Sequence, residues 1–224
     1  YPRAIYLRPP ASKYPDKMEN KIVQTLRDRV TAIRSDNERL LLETFPRDLG
    51  SVTAAWLSGL MERKVLSFEA RALETGVLSD LGIVTMEYED DGADKPASVV
   101  MKFAKGVDAS RAGAVAANSY IREANFFKDF VGKVPMNVPK VHGVFQDPAA
   151  PEEYFCVVTE DLTKEWAVLD QMGGLTVEDC MGIVVPIAKL HAQYWADDCL
   201  QAPWLNNHAT QCIPWFDVWC DSFR

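Results

Sequence analysis

Between residues 65 and 160 the chain changes texture in a fixed order, and that order leaves few folds open. Val65–Leu73, Leu81–Tyr88 and Ser98–Ala104 are rich in β-branched and apolar residues and read as strands. Glu74–Asp80 and Asp90-Asp91-Gly92-Ala93-Asp94 read as the turns between them. Ala112–Val131 has helical texture, and Val141–Gln146 and Tyr154–Glu160 are two further strands around a Pro-containing loop. Three strands, one helix and two more strands predict an α+β lobe, in which one sheet receives a helix between its third and fourth strands.

The flanks are different. Residues 1–15 hold Pro2, Pro9, Pro10 and Pro15, which predicts an extended arm. Residues 16–64 read as helices. Ile22, Leu26, Val30 and Ile33 recur at three- and four-residue steps, and Pro46 ends the run. Ser51 is expected to cap a short helix to Arg63 with Trp56 and Leu60 on one face. Beyond the sheet, residues 163–224 are expected to be helical. Thr176-Val177-Glu178-Asp179 resembles a capping box opening a helix to about Trp195, with Pro186 predicting a kink or a later start.

The net charge of −8 argues against a general nucleic-acid binder. The five cysteines include no CxxC pair, so no zinc site is legible, and free thiols in a reducing compartment are expected. No apolar run approaches the roughly 20 residues of a spanning helix, so a soluble chain is expected. It starts at Tyr1 and its front end is mildly basic. The expectation is a processed product or an incomplete record, in the cytoplasm or in an organelle after loss of a transit segment.

Several residues have the types that phosphoryl transfer uses, which is chiefly positioning and charge neutralisation. Lys102 on the third strand can reach phosphates, and Glu123 on the following helix can hold its side chain. The same pair also reads as an ordinary surface ion pair. Gly76 allows close backbone approach and Ser79 offers a hydroxyl, although Leu73–Asp80 also reads as a plain hairpin turn. Glu160, Asp161 and Leu162 leave the fifth strand where backbone groups can meet an adenine edge, or simply as a strand exit. His191, in Leu190-His191-Ala192, reads best as a core histidine.

In this order, Gly76 to Ser79, Lys102, Glu123, Glu160-Asp161-Leu162 and Leu190-His191-Ala192 with Trp195, the chain resembles the aminoglycoside phosphotransferase and choline kinase-like superfamily. It is most similar to the ecdysteroid kinase-like group of small-molecule kinases, over about Phe45 to Phe223. The resemblance implies a protein-kinase-like N-lobe, with a five-stranded antiparallel sheet and one αC-type helix, followed by the first helices of a C-lobe. It implies weak ATP binding, with Lys102 on the phosphates, Glu123 orienting it, Gly76 and Ser79 covering them, and residues 160–162 forming the adenine hinge.

The family carries a second glycine where this chain has Glu74. It also continues into His-Gly-Asp and further acids that supply the base and the magnesium ligands. Here His142-Gly143 is followed by Val144, and His208 by Ala209, so neither catalytic nor Mg²⁺-binding residues are assigned. Three readings follow: a piece of a small-molecule kinase, a catalytically inactive kinase-fold scaffold subunit, or a nucleotide-binding regulatory module. The aromatic cluster Trp204, Trp215, Trp219 and Phe223 is expected to need cover from a protein partner.

Overall fold

In the computed structural model, residues 36–205 are described, apart from 74, 75, 77, 91, 93, 107, 108 and 167–172. The expected Pro-rich arm, the start of the first helix, and Trp215, Trp219 and Phe223 lie outside the described residues. The chain divides into two compact units, Tyr1–Leu40 and Leu41–Arg224. Of the first, only residues 36–40 are described, and they are helical.

In the second unit, helical residues 41–44 stop before Pro46, and a short 3₁₀ turn follows at Leu49–Ser51. Helix α1 is Ala54–Met61. Strands β1 (Val65–Leu73), β2 (Ser79–Tyr88) and β3 (Ser98–Ala104) follow, then α2 (Ala109–Ala116) and α3 (Ser119–Asp129). Strands β4 (Val141–Gln146) and β5 (Phe155–Glu160) complete one sheet in the order β1-β2-β3-β5-β4, antiparallel throughout. Helix α4 (Val177–Gln193) and a 3₁₀ turn at Asp198–Gln201 come last. The fold is α+β with a five-stranded antiparallel sheet.

Strand periodicity puts successive side chains on opposite faces, and β3 shows what each face is for. Val99, Met101 and Phe103 are fully buried on one face. They join Leu41, Phe45, Trp56, Leu57, Cys156 and Val158 in the larger core. Trp56 packs edge-on against Phe145 at 5.2 Å between ring centroids, and its indole N–H donates to the Leu41 carbonyl. The other face carries a smaller core of Ala104, Ala114, Tyr120, Ala124, Phe155 and Val157. Lys102 points to this second face, where α3 lies.

Two local expectations change. Ser51 does not cap α1. It closes the 3₁₀ turn in a capping box with Asp48, and Thr53 caps α1 by accepting from the Trp56 N–H. The Thr53 hydroxyl sits one residue before the helix, where its oxygen can reach an orphan N–H; Ser51 is too far upstream. The expected single helix over 112–131 is two helices. Asn118 breaks it in the left-handed conformation (φ 52°), which asparagine tolerates better than most residues. Helix α4 does begin after Thr176, whose hydroxyl accepts from the Asp179 N–H. It continues through Pro186.

Candidate functional site

Lys102 lies opposite Leu81 of β2 and Val157 of β5. On α3, Tyr120, Ala124 and Phe127 recur at four- and three-residue steps and pack with the second core. Glu123 is on the same side of that helix, so burial of the tyrosine and alanine brings its carboxylate over β3. Lys102 Nζ donates to Glu123 Oε1 at 2.6 Å. The two side chains keep 29% and 28% of their surface exposed, so the pair is reachable from solvent.

A cavity of about 330 Å³ opens on this pair. It is lined by Gly76, Leu78, Ser79, Leu81, Lys102, Ser119, Tyr120 and Glu123. Four of the residues singled out from the sequence (Gly76, Ser79, Lys102 and Glu123) therefore meet in one place. A methyl group at Gly76 would lie 1.8 Å from the Ser79 carbonyl oxygen, so the backbone passes where no other residue fits.

The first β2 residues are held from three directions. Lys105 Nζ donates to the Gly76 carbonyl at 3.2 Å and pairs with Asp80 at 3.0 Å. Gly106 N–H donates to the other Asp80 carboxylate oxygen. The Tyr120 hydroxyl donates to the Leu78 carbonyl at 2.7 Å and accepts from the Lys105 N–H at 3.1 Å. Sequence reasoning missed Asp80, Lys105 and Tyr120. One signal was available: Tyr120 stands three residues before Glu123 and so shares its helix face. The other two are brought together only by the register that pairs Ser79 with Ala104.

Glu160, Asp161 and Leu162 are elsewhere. Val99 pairs with Glu160, three residues along β3 from Lys102, roughly 10 Å away at strand spacing. None of the three lines the cavity with Lys102. Glu160 accepts from the Lys140 N–H, and the Leu162 carbonyl accepts from Glu165 and Trp166 N–H groups. Asp161 accepts from the Ser98 hydroxyl at 2.6 Å and from both the backbone and hydroxyl of Thr163. Burial alone would raise its pKa, but these hydrogen bonds and the Lys164 charge hold it below the usual carboxylate value.

His191 is exposed rather than in a core, because α4 buries none of its residues. It borders a second, apolar cavity of about 810 Å³, together with Phe126, Phe130, Tyr194 and Trp204. Trp204 packs edge-on against Phe130 there, while Trp195 is 82% exposed.

Among the described residues, no group of three or more His, Cys, Asp or Glu side chains is placed to hold a metal ion. Nor is any helix among them long and apolar enough to cross a membrane. Comparison of the chain with protein-family models, with curated proteins and with solved structures returned no match.

Proposed function

We propose that this chain is the nucleotide-binding half of a kinase-like phosphotransferase of the aminoglycoside phosphotransferase and choline kinase type, nearest the ecdysteroid kinase-like group. Its sheet and α3 correspond to the N-lobe of that fold and α4 to the start of the C-lobe. The observation that carries the reading is the 2.6 Å Lys102–Glu123 ion pair on the cavity beneath Gly76 and Ser79. A lysine ammonium has three donors. One is engaged by Glu123, which leaves two for phosphate oxygens. The side-chain-free approach of Gly76 and the position of Ser79 suit the phosphate end of ATP. By the resemblance, residues 160–162 would meet its base, about 10 Å along the sheet from Lys102.

Binding is expected to be weak. Glu123 offsets the charge of Lys102, Asp80 offsets that of Lys105, and the chain as a whole carries −8. Transfer requires a base and Mg²⁺ ligands, which the family carries in a His-Gly-Asp segment that this sequence lacks. The role of these residues is therefore to hold the nucleotide.

A titration with MgATP tests it. The wild type should show saturable stabilisation in a thermal-shift assay. Lys102→Met should weaken binding about 10- to 100-fold, the loss of one charge-assisted hydrogen bond to phosphate. No shift at millimolar MgATP, or an equal shift in the variant, would refute the reading.

A second reading is favoured by α4. Val177, Met181, Ile183, Val184 and Val185 are all exposed, on a helix of 17 residues that buries none of them. A kinase-fold scaffold subunit would use that face, together with Trp195, to pack against a larger protein. In that case the thermal shift is absent, and Val184→Asp abolishes co-purification with the partner while leaving the fold intact.

A further inference from the structure

We infer that Tyr120 is the positioning residue of the nucleotide site, tying the backbone at Gly76–Ser79 to the helix that carries Glu123. The inference rests on the nucleotide reading above and deepens it.

The tyrosine is 1% exposed and its ring stacks on Phe155 at 4.8 Å between centroids. Phenylalanine would fill that space equally well, so packing does not explain the hydroxyl. A buried hydroxyl is costly unless it is bonded. This one bridges two backbone groups: it donates to the Leu78 carbonyl and accepts from the Lys105 N–H. Leu78 precedes β2 and Lys105 follows β3, so the bond spans the mouth of the hairpin where Ser79 pairs with Ala104. Both residues hold the phosphate side of the cavity. Leu78 lines it, and Lys105 Nζ donates to the Gly76 carbonyl.

Tyr120 and Glu123 are also about one helical turn apart on α3, and both line the cavity. A displacement of α3 that separates Glu123 from Lys102 therefore also pulls the hydroxyl from Leu78 and Lys105. The two halves of the site, the ion pair and the glycine backbone, are set by one side chain that need not touch the nucleotide itself.

Tyr120→Phe tests this, because it keeps the stacked ring. Amide hydrogen exchange at Lys105 should accelerate by about tenfold or more, since the hydroxyl that accepts from this N–H is gone. Amides of β5 should stay as in the wild type. MgATP affinity should fall about five- to tenfold, with Lys102 still present. Unchanged exchange at Lys105, or unchanged affinity in a variant whose wild type binds MgATP, overturns the inference. Absence of binding by the wild type overturns the nucleotide reading instead, and the exchange result still decides whether Tyr120 fixes the backbone. A measurement on the unaltered protein guards against misfolding of the variant: saturating MgATP should slow exchange at Lys105, and binding without that protection also counts against the proposal.

Discussion

The same chemical change, glycine to alanine, should have opposite effects at Gly76 and at Gly113. Gly76 is not in the left-handed backbone region, so the objection to a side chain there is one of space alone. A Cβ would lie 1.8 Å from the Ser79 carbonyl oxygen, 2.9 Å from its carbon and 2.7 Å from Leu81 Cδ1. Leucine can turn away, but the carbonyl is backbone. Moving it means shifting the start of β2 against Ala104 and loosening the Lys105 bond to Gly76. Overpacking of this kind costs about 1–3 kcal/mol. For a chain of this size that is a fall in Tm of roughly 2–4 °C per kcal/mol. Gly113 sits inside α2 with open space around its would-be Cβ. Alanine there removes the backbone freedom of glycine and should add about 0.5–1 kcal/mol. Urea unfolding of the two variants beside the wild type measures both, and MgATP titration should show binding lost in Gly76→Ala alone. A Gly76→Ala protein as stable as the wild type, or a destabilised Gly113→Ala, would refute the steric reasoning.

Two further outcomes are expected. Glu62 ends α1 in the left-handed conformation at φ 51°, a strained position for a residue with a Cβ; Glu62→Gly should raise stability by about 0.5–1 kcal/mol, and a lower urea midpoint would contradict this. His142 stands at the irregularity of β4 between the Val141 and Gly143 pairings, with Nε2 buried and unpartnered. Burial first, and the Lys140 charge second, hold its pKa below the ordinary value against the opposing pull of Glu160. The unfolded chain then binds the extra proton more readily, so this contribution is complete above the ordinary histidine pKa of about 6.5 and is lost as the pH falls below it. Melting curves from pH 7.5 down to 5.5 should decline less steeply in His142→Asn than in the wild type, and parallel declines would exclude the histidine as the source.

The strands were legible because each carries its own signal. Val65–Leu73, Ser98–Ala104 and Val141–Gln146 were placed to the residue, since apolar runs between turn residues have few alternatives. Helix ends were less legible. The break at Asn118 has the residue type that permits it, but nothing local demands it, and Ser51 and Thr53 are both good capping residues by type. For the candidate site, Lys102, Glu123, Gly76 and Ser79 could be singled out one by one. Tyr120 had only its helix spacing from Glu123 to point to it, and Asp80 and Lys105 had no signal, because the partners of all three lie between 15 and 42 residues away in the chain. His191 was misplaced for a related reason: helical texture predicts a buried stripe, but burial depends on another element arriving to cover it.

What the sequence determined by itself was the kind and order of the elements, because propensity, turn chemistry and apolar alternation act over a few neighbouring residues. It also singled out Lys102, Glu123, Gly76 and Ser79 by residue type. Only the tertiary structure decided the strand order, which face of β3 received Lys102, and which carboxylate came within 2.6 Å of it. Those outcomes depend on sheet register and on which side of α3 is buried. Both are set by packing between distant segments, which no short stretch of chain encodes alone.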